Sequence, residues 1–213
     1  MSTKRTVVFS VLGLLLVLAA GAGGYRLYIG MVAGDGEISR EVQADRSFEV
    51  SDDGEGEPGI IQYGVTSGET GDSVARFLIQ ERIFGRENMV EGTTRQIDGS
   101  FLINYLDASV RVGEFEINLR DIRTRSLDVD IEEQGWTDRE RDVVIRGQIL
   151  ESGRDEYEFS TFEPTEVRGV PESFGVGDEL DIVVVGDLTI RDVTSEVSFD
   201  MELNLDSEER ISG

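Results

Sequence analysis

Chemistry in this chain would have to rest on carboxylates, tyrosines, hydroxyls and arginines. It holds 44 Asp and Glu, 20 Lys and Arg, no histidine and no cysteine. Without histidine it lacks the usual proton acceptor near neutral pH and the commonest metal ligand. Without cysteine, disulfides, zinc–thiolate sites and lipid attachment to sulfur are excluded. The only lysine, Lys4, precedes a long apolar run, so the rest of the chain has no Schiff-base or Ser-Lys chemistry. Two acids could still hydrolyse a glycosidic bond, but among so many carboxylates a suitable separation arises by accident. Two acids converging in a cleft, one with a raised pKa, would mark that reading. Asp52, Asp53, Glu55 and Glu57 resemble a calcium loop only in density, because the EF-hand spacing and its closing glutamate are missing. No catalytic residue, metal site or cofactor is expected.

The formal charge is −24. Removing Lys4, Arg5 and Arg26, the only charges in residues 1–34, leaves −27 on the remainder. Such a polyanion repels nucleic-acid phosphates, so no nucleic-acid partner is expected. The bland meaning of the charge is solubility, including in a salty medium.

What remains is an apolar face. Ala75, Phe77 and Ile79 share one phase, as do Ile97, Gly99, Phe101 and Ile103. Phe115 and Ile117 alternate with Glu116 and Asn118, and Tyr157, Phe159 and Thr161 alternate with Glu158 and Ser160. Ile182, Val184, Gly186, Leu188 and Ile190 form another phase. Val197, Phe199, Met201 and Leu203 alternate with Ser198, Asp200, Glu202 and Asn204. Successive strand side chains point to opposite faces, so each segment predicts a strand that is apolar inward and polar outward. Many such strands without long helices between them predict an antiparallel all-β sandwich or barrel. One short helix interrupts them: Thr137-Asp138-Arg139-Glu140 is a capping box, followed by Val143, Val144, Ile149 and Leu150, with Gly153 as a stop. It could lie across one end of a barrel.

Met1–Arg5 is a short basic lead, and Thr6–Ala22 carries no charge. An uncharged run of about 20 residues can span the hydrocarbon core as a helix. Positive charge before it and acid after it predict a cytoplasmic N-terminus with the remainder outside, in the periplasm or at the cell surface. Ala20-Gly21-Ala22 also offers a signal-peptide cleavage site, which would make the protein secreted; apolar residues resuming after Arg26 favour a retained anchor. The expected organisation is an N-terminal anchor or signal segment over 1–34, an acidic flexible linker over 35–59, a β domain over 60–206 and a tail over 207–213.

Six segments in order resemble the YceI-like proteins: SVARFLI, VEGTTRQIDGSFLI, INLRDIRT, RERDVVIRGQIL (with Arg141, Asp142 and Arg146), DEYEFSTFEP and VVGDLTIRDVTSEVSF. Together they cover roughly Ile60 to Leu205. Asp192 stands where the pattern usually has glycine, and Glu158 where it has proline. Ser126–Trp136 looks like an insertion. The resemblance implies a lipocalin-like, up-and-down antiparallel barrel of about eight strands that binds a polyisoprenoid or similar long-chain lipid in an apolar tunnel. It implies no enzyme. Ala75, Phe77, Ile79, Ile97, Phe101, Phe115, Ile117, Phe159, Ile182, Val184, Leu188, Val197, Phe199 and Met201 would line that interior, unless they simply fill it. Trp136, Arg141 and Tyr157 would stand at the mouth or meet a head group. A pair such as Arg141 and Asp142 more often ties a helix to a loop. A tethered structural or adhesion β-module with a filled interior is the competing reading.

Overall fold

Tight turns and bulges shape this chain into a curled sheet. The computed structural model describes residues 37–44, 59–65, 73–207 and 210–212. The apolar segment within 1–34, the Asp52–Glu57 cluster and the rest of 45–58 lie outside the described residues. Among the described residues no helix is long and apolar enough to cross a membrane.

The strands, in order, are β1 (Ile60–Gly64), β2 (Ala75–Ile83), β3 (Arg86–Thr94), β4 (Ile97–Asp98), β5 (Ser100–Asn104), β6 (Ser109–Val112), β7 (Phe115–Asn118), β8 (Arg123–Ser126), β9 (Phe159–Arg168), β10 (Glu179–Ile190), β11 (Val193–Ser207) and β12 (Arg210–Ser212). All described pairings are antiparallel. Short two-residue loops close the β2–β3 and β10–β11 hairpins, with Phe84 at φ 50° and Arg191 at φ 58°. Positive φ at the start of such loops matches the twist of the flanking strands.

The described residues form twelve strands because two long runs are broken by irregularities; counted as unbroken runs they make eight. One run holds β3, β4 and β5; the other holds β6, β7 and β8. Thr93 pairs with Arg123 and Phe101 with Val112, so eight steps on one run face eleven on the other. The extra residues bend and twist the ladder. Gly99 sits at one break: a Cβ there would come within 2.3 Å of the Phe115 ring, so the ring can lie over this position only because no side chain is present. Both β2 and β1 flank the first run, at its two ends, while β9, β10, β11 and β12 extend the sheet from the second. The result is a mostly β fold with one short helix and a half-barrel curl.

Helix α1 (Asp138–Val144) begins as the capping box predicts: the Glu140 amide donates to Thr137 Oγ1 at 3.2 Å, and the Thr137 amide donates to Glu140 Oε2 at 3.0 Å. A π-helical turn, Ile145–Ile149, continues it. Two segments outside the expected β domain lie against the sheet. Residues 210–212 of the expected tail pair with β11, and residues 37–44 of the expected linker lie across the outer face near Asp98 and Glu116.

Candidate ligand-binding face

The concave face of the six-stranded part carries most of the apolar residues singled out in the sequence. Across β10 and β11, Ile182 pairs with Met201, Val184 with Phe199 and Gly186 with Val197. Cross-strand partners share a face, so these form one apolar strip. Ile97 pairs with Ile117, and Phe115 with Phe162, whose other neighbour is Leu188. Phe101 and Phe115 meet edge-to-face with centroids 5.7 Å apart, and Phe162 and Phe199 likewise at 4.9 Å. Edge-to-face pairs of this kind add roughly 0.5–1.5 kcal/mol beyond their buried area.

Exposure varies along this face. Phe101, Phe115, Ile182 and Val184 are buried in a packed cluster with Ile103, Leu180, Leu203 and Leu205. Ile97, Leu188, Val197 and Met201 are half-buried against the same cluster, and Ile117 is half-buried beside it. Phe199 is 41% exposed. One end of the face is therefore filled by its own side chains, and the other is open.

Ala75, Phe77 and Ile79 lie apart from that cluster, on the β2–β3–β8 portion. Phe77 pairs with Gly92 and covers it so closely that a Cβ there would stand 2.0 Å from the ring. Ile79 is 51% exposed. Their face is the one α1 packs against, since Gly92 pairs with Thr124 and Thr124 is held by the helix. Asp142 Oδ1 accepts from the Thr124 amide and from its hydroxyl, both at 2.7 Å. Arg141 is buried, donates from Nη2 to Ser126 Oγ at 2.5 Å, and pairs with Glu81 at 3.5 Å and Asp138 at 3.6 Å. Its Nη1 has no hydrogen-bond acceptor. The pair thus ties the helix to the sheet, and one buried donor keeps only the longer ion pair with Asp138. Burial lowers the pKa of the neighbouring Arg146, with a smaller push from Arg123, while Nη1 donates to the Arg120 carbonyl at 3.0 Å.

One expected interior residue, Phe159, falls elsewhere. Phe159 pairs with Asn118 and so occupies the outer face, with the Arg40 guanidinium 3.8 Å above its ring. The assumed alternation from Tyr157 fails because Asp155–Tyr157 is a 3₁₀ turn and β9 starts only at Phe159. The inward residues of β9 include Ser160, Phe162 and, past a bulge, Val167, and the sequence reading missed Phe162. Trp136 is exposed. Tyr157 is half-buried, with Arg154 and Arg191 at 4.7 Å and 5.2 Å from its ring centroid.

The outer face carries polar groups that the sequence did not single out as a unit. Glu158 and Asn118 are fully buried, and Glu116, Arg120 and Asp98 nearly so. Arg120 pairs with Glu158 at 2.8 Å and Asp155 at 2.7 Å, and donates from Nε to the Ser152 carbonyl at 2.7 Å. Their pairing explains how charges are kept under cover, because a buried charge is tolerated only when it is compensated.

No curated protein matches the chain. The family model of the YceI-like domain matches residues 69–213. That span takes in β2 through β12, all of the packed cluster but Tyr63, and the open apolar end, and YceI-like domains are lipid-binding β-barrel domains of the polyisoprenoid-binding type. The chain belongs to the YceI-like family.

Proposed function

We propose that this protein sequesters or carries a long-chain polyisoprenoid or similar apolar lipid outside the cytoplasm, without catalysing a reaction. The ligand lies along the open half of the concave face, against Ile117, Leu188, Val197 and Phe199, with Phe77 and Ile79 contributing from β2. The observation that carries this reading is the half-open aromatic strip that continues directly from a dry core. Each methylene such a chain buried would contribute on the order of 0.8 kcal/mol, so a long tail binds with few polar contacts. Where a polar head group is present, Arg141 Nη1, which makes no hydrogen bond of its own, is the donor suited to receive it. In this reading the 1–34 segment holds the protein at a membrane, the sheet curls into an up-and-down barrel, and the absence of histidine and cysteine leaves no ready catalytic group.

The packed cluster at the other end favours a second reading, a displayed structural or adhesion module whose interior needs no guest. Native mass spectrometry of the full chain released from membranes decides between them. A retained apolar ligand, or uptake of added polyisoprenoid alcohol, is expected. Repeated failure to hold any lipid supports the module and overturns the carrier.

A further inference from the structure

The segment 37–44 is received by the barrel's outer face through a set of carboxylates. The Arg40 guanidinium is bidentate on Glu116, Nη1 to Oε2 at 2.7 Å and Nη2 to Oε1 at 2.6 Å, and it stacks on Phe159. The hydrogen bond to Glu116 raises the Arg40 pKa further, against a smaller effect of burial. Backbone amides complete the seat: Ser39 donates to Glu158 Oε1 at 2.7 Å, Gln43 to Glu116 Oε2 at 2.6 Å, and Ala44 to Asp98 Oδ2 at 3.0 Å. The Ser39 hydroxyl donates to the second Glu158 oxygen. Val42 and Ala44 are buried. Flexible tethers do not satisfy buried carboxylates one by one; each of these acids uses the segment to meet its hydrogen-bonding needs. The same Glu158 carboxylate also pairs with Arg120 at 2.8 Å.

We propose that residues 37–44 are a clasp that fastens the stretch ahead of β1 to the barrel's outer face and so sets how far the domain reaches from the segment that precedes it. Seated, the clasp leaves only residues 35 and 36 between the 1–34 segment and the domain. Unseated, residues 37–58 add 22 residues of leash, which as flexible chain have a root-mean-square span of about 25 Å. The clasp itself needs only the described contacts; its effect on reach rests on the reading that the 1–34 segment is a membrane anchor.

Hydrogen exchange on the full chain in detergent micelles, read by mass spectrometry, tests the clasp. Peptides covering 37–44 are expected to be protected, and Arg40→Ala to speed their exchange at least tenfold, while β10–β11 peptides stay unchanged. Free-chain exchange of 37–44 in the unaltered protein, or equal protection in both proteins, overturns the proposal. A second arm uses the natural lack of cysteine. Ser195→Cys, labelled and reconstituted in neutral phosphatidylcholine vesicles containing an acceptor dye, is expected to show weaker energy transfer once Arg40→Ala is added. Equal transfer overturns the effect on reach. Failure of both proteins to enter vesicles overturns the anchor reading instead, and the exchange result alone then judges the clasp.

Discussion

Val184 and Phe199 face each other across β10 and β11, yet the first is closed to solvent and the second is 41% exposed. One cross-strand pair thus marks the border between packed core and open face. Val184→Asp would bury an unpaired carboxylate and is expected to prevent folding, seen as loss of the cooperative urea transition. Phe199→Asp keeps its charge near water and is expected to fold, with weakened lipid retention in native mass spectrometry. A folded Phe199→Asp protein that retains lipid as well as the parent would remove the open end from the binding face.

Gly99→Ala tests the bend between β4 and β5. The added Cβ would sit 2.3 Å from the Phe115 ring, which is itself locked against Phe101. Overpacking of this kind typically costs about 1–3 kcal/mol, readable as a lower urea midpoint at unchanged slope. An unchanged midpoint would mean that the ring moves freely.

Asp142→Ala tests the helix tie. The Thr124 amide and hydroxyl would both lose their acceptor. Leaving buried donors unsatisfied costs about 1–3 kcal/mol. Faster exchange at α1 and β8 is expected, with β10 and β11 unaffected.

Like charges oppose each other on the outer face of the β10–β11 hairpin: Asp181 pairs with Glu202 and Asp187 with Glu196. Glu202→Lys replaces one repulsion with an attraction and is expected to stabilise by roughly 0.2–1 kcal/mol at low salt. The gain should shrink as salt is added, since exposed charges are screened. Thermal melts at two salt concentrations check both parts.

The sequence made the fold legible wherever period-two alternation ran uninterrupted. Val184, Phe199 and Met201 were placed on their shared face because β10 and β11 are long and regular, and the Thr137–Glu140 box located α1 because its signal is local. Phase was lost at Phe159 because a 3₁₀ turn resets it, and nothing in the alternation of 157–161 announces that turn. Residues 37–44 looked like linker because their partners Glu116 and Glu158 lie more than seventy positions away. Polar contacts over such separations leave no local periodicity to read.

Beyond its short pairing with β12, the outer edge of β11 has no strand beside it among the described residues. A bare edge invites a second copy to add itself, which is how soluble sheets begin to assemble into aggregates. Here Glu196, Asp200 and Glu202 crowd that rim, so two approaching molecules present acid to acid. The heavy negative charge therefore acts as a local guard against self-association as well as a source of solubility, and neutralising those three carboxylates would leave the rim open to templated growth.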